Sequence, residues 1–334
     1  MDEKKTEGAL LEVRNLCTYF YGDNGLVKAV DGVDFDLQER TTLGIVGESG
    51  SGKSVTAMSI MDLLQGTTGR VVDGEVLFEG QNLLQLSSEE RRKLRGSKIA
   101  MIFQEPMTSL NPVMKIGQQI VEGILLHTNL SKSKARQQAI ALLRETGLPR
   151  AEEIVDEYPH QLSGGQRQRV MIAMALACKP KILIADEPTT ALDVTIQAQI
   201  LQLMRELKEK SGTSIIFVTH NLGVVAEMCQ QVLVMYCGRV VEYADVEALF
   251  EQSRHPYTRG LLAAIPQLGV HTRELEAIPG NVPNPKRMPQ GCKFAPRCKQ
   301  AIPICLEAEP SLFEYPDGRR SRCWLCKKEF GGDL

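Results

Sequence analysis

The N-terminal part of the chain shows the alternation of apolar and polar residues that is typical of strands buried on one face. Residues 10–21 are rich in β-branched and aromatic side chains and lead into a glycine-containing turn. From Val30 to Leu37, apolar residues alternate with aspartates, which predicts a half-buried antiparallel strand. Residues 74–80 predict a further short strand between two glycines.

Further along the chain, short uninterrupted apolar runs predict strands that are buried on both faces of a parallel sheet. These runs lie at residues 42–46, 99–103, 181–185 and 214–219. Segments with helical periodicity separate them, and two of these segments, 113–126 and 132–146, predict a helical insertion. Residues 231–243 predict a hairpin that turns at Cys237 and Gly238. The alternation of strands and helices predicts an α/β fold.

Length and composition narrow the class of protein. A chain of 334 residues, 43% hydrophobic and 24% charged, is typical of a soluble globular protein with about two domains. The net charge of −2 provides no overall attraction to nucleic acid or anionic lipid. The apolar runs are too short to span a bilayer, and the charged first seven residues do not resemble a signal peptide. We therefore expect a cytoplasmic protein whose membrane role would depend on a partner.

A glycine-rich segment, Gly47-Glu48-Ser49-Gly50-Ser51-Gly52-Lys53-Ser54, joins the buried strand at 42–46 to a predicted helix. This spacing is that of a phosphate-binding loop, whose glycines let the backbone approach a polyphosphate and point N–H groups at it. The N-terminus of the helix adds positive potential, Lys53 can reach the terminal phosphates, and the Ser54 hydroxyl can bind Mg²⁺. A chance match to a glycine-rich turn is the alternative, and the complete motif in its strand–loop–helix context disfavours it.

Other polar side chains follow the ends of the buried strands. Asp186 is suited to hold Mg²⁺ and Glu187 to polarise an attacking water. Such a pair in isolation is more often a helix N-cap, but a preceding phosphate loop favours catalysis. His220 ends the next strand, where it can contact the γ-phosphate or lie on the surface. The neutral amide of Gln104 also ends a strand and can bind Mg²⁺ or water.

A second anion-binding segment, Ser163-Gly164-Gly165-Gln166, precedes another predicted helix. The serine is a suitable N-cap, and the glycines and the helix N-terminus present N–H groups to a phosphate. One nucleotide does not require two such loops from one chain. We therefore expect this loop to contact a nucleotide that a second subunit holds.

These motifs, taken in order with Ala191-Leu192-Asp193, resemble the nucleotide-binding subunit of an ABC transporter over about residues 10–250. The resemblance implies a P-loop NTPase fold, in which a RecA-like core carries an antiparallel β-subdomain and a helical subdomain at about 106–168. It also implies two subunits that face head to tail and hold two ATP molecules between them. An aromatic side chain of the first strand is expected to stack on adenine; Phe20 is preferred, with Tyr19 and Tyr21 as alternatives.

The resemblance assigns a role to each matching residue. The residues expected to bind ATP are Phe20, Gly47, Glu48, Ser49, Gly50, Ser51, Gly52, Lys53, Ser54, Val55, Gln104, Asp186 and His220. Those expected to bind Mg²⁺ are Ser54, Gln104 and Asp186, and those expected to act in hydrolysis are Glu187, His220 and Gln104. Those expected to contact the partner subunit's ATP are Ser163, Gly164, Gly165, Gln166 and Asp193.

A finer resemblance is to the ATPase subunits of dipeptide and oligopeptide importers. It is carried by Phe103–Pro112, His255–Arg259 and Gly291–Cys298, and it implies an ABC domain at 1–252 followed by a small cysteine-rich extension at 253–334. The implied partners are a second ATPase, identical or paralogous, two transmembrane permease subunits and, through them, a periplasmic or extracellular peptide-binding protein, with no nucleic acid. The implied location is the cytoplasmic face of the cell (inner) membrane, as a peripheral subunit. Nickel and glutathione importers are close relatives, so the cargo stays open.

Two alternatives come from other functional classes. A soluble ABC ATPase acting on ribosomes or DNA usually has two cassettes or a long coiled-coil insertion, which this chain does not show. An inactive scaffold subunit would have no physical need to retain Lys53, Glu187 and His220 together.

The nine cysteines are unevenly distributed. Four are scattered through apolar segments, where we expect buried side chains: Cys17, Cys178, Cys229 and Cys237. Five crowd the proline-rich C-terminus, a short segment that can bury little surface and needs a cross-link. Because disulfides are disfavoured in the cytoplasm, a metal is expected there. The wide spacing of Cys292, Cys298, Cys305 and Cys323 favours a [4Fe–4S] cluster, which some members of the resembled family bind; zinc, for which only Cys323 and Cys326 are suitably spaced, and free thiols are the alternatives.

Overall fold

The structure is a computed structural model that describes residues 8–22, 25–104, 109–190, 192–265 and 277–329. The chain divides into two compact units. The first comprises Met1–Leu37, Thr42–Leu84 and Val218–Leu334, and the second comprises Gln38–Thr41 and Gln85–Phe217. These units reflect how the chain packs, whereas the predicted ABC domain, helical subdomain and extension were delimited by the family resemblance. Their predicted limits stay a prediction.

The described strands are β1 (Leu11–Gly22), β2 (Gly25–Leu37), β3 (Thr42–Val46), β4 (Gly69–Phe78), β5 (Gln81–Asn82), β6 (Ile99–Ile102), β7 (Ile182–Asp186), β8 (Ser214–Thr219), β9 (Gln231–Tyr236), β10 (Arg239–Asp245), β11 (Phe313–Glu314) and β12 (Arg320–Ser321). The described helices are α1 (Lys53–Ile60), α2 (Ser88–Leu94), α3 (Ile116–His127), α4 (Lys132–Glu145), α5 (Ala151–Ile154), α6 (Gly164–Leu176), α7 (Val194–Ser211), α8 (Leu222–Met228), α9 (Val246–Gln252), α10 (Pro256–Ala263), α11 (Pro303–Glu307) and α12 (Trp324–Glu329). Short 3₁₀ helices lie at Leu83–Gln85, Pro159–Gln161 and Ala295–Arg297.

The first unit contains an antiparallel sheet with the strand order β2-β1-β4-β5. Strand β1 pairs along its length with both β2 and β4, which confirms the antiparallel strands predicted from the alternating pattern. β2 and β4 begin earlier than predicted, at Gly25 and Gly69. Their extra residues lack clear alternation and are strands because they pair with the long β1.

The first unit also contains the strand series β11-β12-β10-β9-β3. β3 and β9 are parallel, and every residue of β3 is buried, as its uninterrupted apolar run predicts. β9 and β10 form the predicted hairpin, whose turn residues Cys237 and Gly238 have φ values of +48° and +79°. β12 of the C-terminal segment pairs with β10, and β11 of the same segment pairs with β12 and forms the edge.

In the second unit, β8, β7 and β6 are neighbours in that order, and β6 and β7 are parallel. The division between the units falls within β8, after Phe217. Helices α3, α4 and α6 pack against one another and form the predicted helical part. α3 begins at Ile116 rather than at Val113, because the Asn111 side chain and carbonyl accept the next N–H groups in a turn.

Cys17, Cys229 and Cys237 are buried as expected, whereas Cys178 is only half-buried. Among the helices of the described segments, none combines the length and apolar character that crossing a bilayer requires.

Candidate functional site

The phosphate loop follows β3 and leads into α1, the context that its motif predicts. Gly47 and Gly52 have φ values of +153° and +105°, which disfavour any side chain. A Cβ atom at Gly47 would lie 2.2 Å from the Met235 carbonyl oxygen, and one at Gly52 would lie 2.3 Å from that of Ala29. Close backbone packing beneath the loop therefore requires glycine at both positions, while Ser49 and Gly50 are exposed above it.

The polar groups of this loop suit a phosphate ligand. Lys53 is buried, and its Nζ atom donates to the carbonyl oxygens of Gly47 (2.8 Å) and Glu48 (3.0 Å). The N-cap of α1, Gly52, offers no side-chain hydrogen bond, and the first turn contains no acidic residue. The buried Ser51 hydroxyl has no hydrogen-bond partner within the described segments. A helix N-terminus without a capping side chain, an ammonium group and an unsatisfied hydroxyl together fit a polyphosphate.

Sequence reasoning missed two residues that hold this loop. The Glu48 N–H donates to the Tyr257 hydroxyl at 2.9 Å, and the Glu48 carboxylate accepts from Arg297 at 2.6 and 3.0 Å. Both partners lie in segments that carry the finer resemblance, His255–Arg259 and Gly291–Cys298. The only signal was the resemblance of these segments, because no local pattern links them to Glu48.

The three aromatic residues at the end of β1 have different surroundings. The Tyr19 hydroxyl donates to Asp31 at 2.7 Å, and burial followed by this hydrogen bond raises the pKa of Tyr19. The Phe20 ring lies over Gly69, where an added Cβ atom would be 2.8 Å from it, and Tyr21 is 54% exposed. Tyr19 is therefore already engaged, and Phe20 stays the predicted adenine contact.

In the second unit, Gln104 and Glu187 are in contact, a pairing that their positions after two strands did not by themselves predict. The Glu187 Oε2 atom accepts from Gln104 Nε2 at 3.0 Å and from the Thr190 hydroxyl at 2.9 Å. Asp186 is the buried last residue of β7, and Glu187 follows it with a φ of +46°. The N-cap of the next helix, α7, is Asp193, so neither carboxylate has the N-cap role considered as the alternative. His220 follows β8 in the first unit and is exposed.

The second anion-binding segment forms the N-terminus of α6. The Ser163 hydroxyl accepts from the Gln166 N–H at 3.3 Å, and the Gln166 side chain accepts from the Ser163 N–H at 2.9 Å, which is a capping box. Ser163 and Gly164 are exposed. Gly165 faces α7, where an added Cβ atom would lie 3.1 Å from Ile196. The predicted N-cap is confirmed, and the exposed loop is available to a second molecule.

The cysteines of the C-terminal segment belong to the first unit, where Cys292 lies beside Cys305, and Cys323 lies beside Cys326. Cys292 interacts electrostatically with Cys298, Cys305 and Cys323, and burial, together with the charges of Cys305 and Cys298, raises the pKa of Cys292 to about 11. The Cys292 N–H donates to the Cys305 carbonyl at 2.8 Å. A hydrogen bond with Cys326 lowers the pKa of Cys323. Among the residues that the structure describes, no three His, Cys, Asp or Glu side chains are close enough to hold one metal ion.

Comparison with known proteins places this geometry in a family. Residues 30–190 match the model of the ABC transporter family, and residues 241–305 match that of the oligopeptide/dipeptide transporter C-terminal region. The chain is 54% identical to the oligopeptide transport ATP-binding protein AppD of Bacillus subtilis, over 96% of this chain and 98% of the relative. It is 51% identical to OppD of Escherichia coli, over 95% and 93% of the two chains.

Solved structures agree with this assignment. The dimeric ATP-binding cassette MJ0796, in a post-hydrolysis state with ADP and Pi, has a TM-score of 0.64 and 29% identity, over 71% of this chain and 98% of that chain. The cassette cbiO1 of Clostridium perfringens has a TM-score of 0.61 and 28% identity, over 74% and 93%. The predicted P-loop NTPase fold of the ABC type is therefore confirmed.

Proposed function

The chain belongs to the ATP-binding subunits of ABC transporters, in their oligopeptide and dipeptide branch, and we propose that it is the ATPase that energises a peptide importer. The observation that carries this proposal is the joint presence of a complete phosphate loop and the Gln104–Glu187 pair in a chain that matches peptide-transport ATPases almost end to end. The proposed partners are a second ATPase subunit, two permease subunits and, through them, a peptide-binding protein. The proposed location is the cytoplasmic face of the cell membrane.

The residues of the chain would act on ATP as follows. Lys53 and the N–H groups at the start of α1 would bind the terminal phosphates, and Phe20 would stack on adenine. The oxygen atoms of Ser54, Gln104 and Asp186 are the proposed Mg²⁺ ligands, and the ion would neutralise charge that develops on the phosphates. Gln104 and Thr190 donate hydrogen bonds that orient the Oε2 atom of Glu187. Glu187 would polarise the attacking water. Ser163, Gly164, Gly165, Gln166 and Asp193 would contact ATP held by the second subunit, and His220 would contact the γ-phosphate.

Substitution of Glu187 tests this function. Glu187→Gln keeps the shape of the side chain but removes the charge, so ATP should still bind while turnover falls at least about 10²-fold, the usual scale for a general base. ATP hydrolysis is measured on the complex copurified with its permease subunits after detergent extraction, with the exposed Glu251→Gln as the control. Uptake of a labelled oligopeptide should fall with hydrolysis. Near-normal hydrolysis by Glu187→Gln would refute the catalytic assignment, and failure of the chain to copurify with any permease would refute the importer assignment.

We also propose that the C-terminal thiols bind an iron–sulfur cluster. Support comes from the resemblance and from the place of Cys292, Cys298, Cys305 and Cys323 in one unit, where the Cys292 N–H donates to the Cys305 carbonyl at 2.8 Å. In a [4Fe–4S] cluster each of four thiolates binds a different iron, which suits cysteines spaced as widely along the chain as these. The cluster would act as a structural cross-link or a redox sensor, since its ligands are not among the residues assigned to ATP.

Anaerobic purification tests the cluster directly. Protein purified without oxygen should be brown, contain iron and absorb broadly near ~400 nm, as iron–thiolate chemistry does. Cys298→Ser should remove the colour, whereas Cys178→Ser, which changes a half-buried thiol of the second unit, should not. Colourless protein with stoichiometric zinc would replace the cluster by a zinc site.

A further inference from the structure

We propose that Arg297, in the C-terminal segment, is a positioning residue of the phosphate loop and acts through the carboxylate of Glu48. The proposal rests on the ATP-binding function proposed above. It gives the segment after residue 253 a part in nucleotide binding that is independent of its thiols.

The contact between the two side chains is a paired, charge-assisted one. Arg297 Nη1 donates to Glu48 Oε2 at 2.6 Å, and Nη2 donates to Oε1 at 3.0 Å. Two parallel hydrogen bonds fix both the distance and the orientation of the carboxylate. A lysine has a single point of charge and cannot reproduce this geometry.

Arg297 is itself held firmly. Its Nε atom donates to the Pro279 carbonyl at 3.0 Å, and Nη1 also lies 3.4 Å from the Tyr236 hydroxyl. The residue is only 6% exposed and follows Phe294, whose ring packs edge-on against Tyr236 at 5.3 Å between centroids. A buried guanidinium with fixed neighbours is a rigid reference point for the flexible side chain of Glu48.

Glu48 transmits this position to the groups that would bind ATP. Its carboxylate is held by Arg297, its N–H donates to the Tyr257 hydroxyl at 2.9 Å, and its carbonyl oxygen accepts from Lys53 Nζ at 3.0 Å. The same ammonium group contacts the adjacent Gly47 carbonyl at 2.8 Å. A displacement of Glu48 therefore moves both the loop backbone and the lysine expected to reach the terminal phosphates.

The structure also explains why an acidic residue stands in a loop that binds an anion. A carboxylate near a polyphosphate would repel it if the charge were not compensated. In this chain the Arg297 guanidinium compensates the charge of Glu48 from the side of the protein interior. Loss of Arg297 would thus leave an uncompensated negative charge in the phosphate loop as well as a loose side chain.

Equilibrium binding of a fluorescent ATP analogue to the purified full chain, with Mg²⁺, tests the proposal. Arg297→Met keeps most of the length of the side chain but removes its charge, and it should weaken binding about tenfold, the scale of one lost charge-assisted hydrogen bond. Arg297→Lys should recover part of the loss. The control is Arg259→Met, which removes an exposed arginine of α10 that donates to the Ser253 carbonyl, and it should bind as the unmodified chain does.

A double-mutant cycle separates positioning from general stabilisation. Glu48→Gln alone should lower the affinity for the ATP analogue. The Glu48→Gln/Arg297→Met double variant should bind the analogue no less tightly than the single variant that has the lower affinity, because both changes remove the same contact. Unfolding midpoints show whether each variant folds. If Arg297→Met does not fold, Arg297→Lys takes its place in the cycle with Glu48→Gln. Unchanged affinity in folded Arg297→Met, or independent losses that multiply in the double variant, would overturn the proposal. If the unmodified chain itself bound no ATP, the proposed function would fall instead.

Discussion

The imidazole of His255 makes the stability of the first unit sensitive to acid. His255 is 1% exposed, and its Nδ1 atom accepts the Tyr257 N–H at 3.1 Å as the N-cap of α10. Burial, with the nearby cations Arg322 and Arg259 adding to it, lowers the pKa of His255 to about 3. Protonation of Nδ1 would therefore place a charge in the interior and break the cap.

The size of the effect follows from linkage between protonation and folding. In the unfolded chain, His255 titrates at its ordinary pKa of 6.5. Below that pH the unfolded state binds a proton that the folded state does not, so the stabilisation is complete above pH 6.5 and is lost as the pH falls towards the folded pKa. At pH 5 the loss amounts to about 2 kcal/mol, and this value holds for any folded pKa below about 4.

Urea unfolding at about pH 7.5 and about pH 5 measures this loss. The chain contains one tryptophan, Trp324, whose indole N–H donates to the Ala308 carbonyl at 3.0 Å in the same unit, so its fluorescence reports on the relevant transition. His255→Asn provides an oxygen acceptor near the position of Nδ1 but does not titrate. The unmodified chain should therefore lose about 2 kcal/mol more than His255→Asn over this pH range.

A control variant and a clear negative result complete the test. His160→Gln changes an exposed histidine of the second unit and should leave the acid dependence of the Trp324 transition unchanged. If His255→Asn lost as much stability as the unmodified chain, the imidazole would not be the group responsible, and the reasoning from its burial would be refuted.

Three further substitutions have specific expected outcomes. Gly165→Glu, at a position where a Cβ atom already lies 3.1 Å from Ile196, should abolish hydrolysis by the assembled complex but leave ATP binding by the isolated subunit intact. Loss of binding by the isolated subunit would show that the loop acts on its own nucleotide. Gly52→Ala should abolish binding of the fluorescent ATP analogue, because its Cβ atom would lie 2.3 Å from the Ala29 carbonyl oxygen. Normal affinity for the analogue would contradict the loop geometry. Asp193→Ala removes the side chain that accepts the Ile196 N–H and should cost about 1 kcal/mol in urea unfolding, whereas an unchanged midpoint would mean that the cap contributes nothing.

Local features of the fold follow from the sequence because their causes are local. The buried strands β3 and β7 have uninterrupted apolar runs, and the hairpin at Cys237 and Gly238 combines a turn pair with flanking apolar residues. The Ser163 N-cap follows from residue types three positions apart. The phosphate loop belongs to the same class, since glycine spacing between a strand and a helix fixes its geometry.

The starts of β2, β4 and α3 show the limit of local reasoning. Pairing with β1 extends both strands beyond their alternating residues, and a side-chain turn at Asn111 delays the helix. These boundaries depend on hydrogen-bond partners that periodicity does not encode. The candidate site shows the same limit: the sequence predicted that Gln104 and Glu187 each follow a buried strand, but not that they bond at 3.0 Å.

The sequence by itself determined the α/β architecture, the phosphate loop and the family, because each depends on residue spacing over a short stretch of chain. Only the tertiary structure decided what holds that loop. Glu48 and Arg297 are 249 residues apart, and Glu48 and Tyr257 are 209 apart. These residues meet because β10, β12 and α10 pack in the same unit as β3. Contacts at such separation arise from the summed packing of many side chains, so no local pattern around Glu48 could have revealed them.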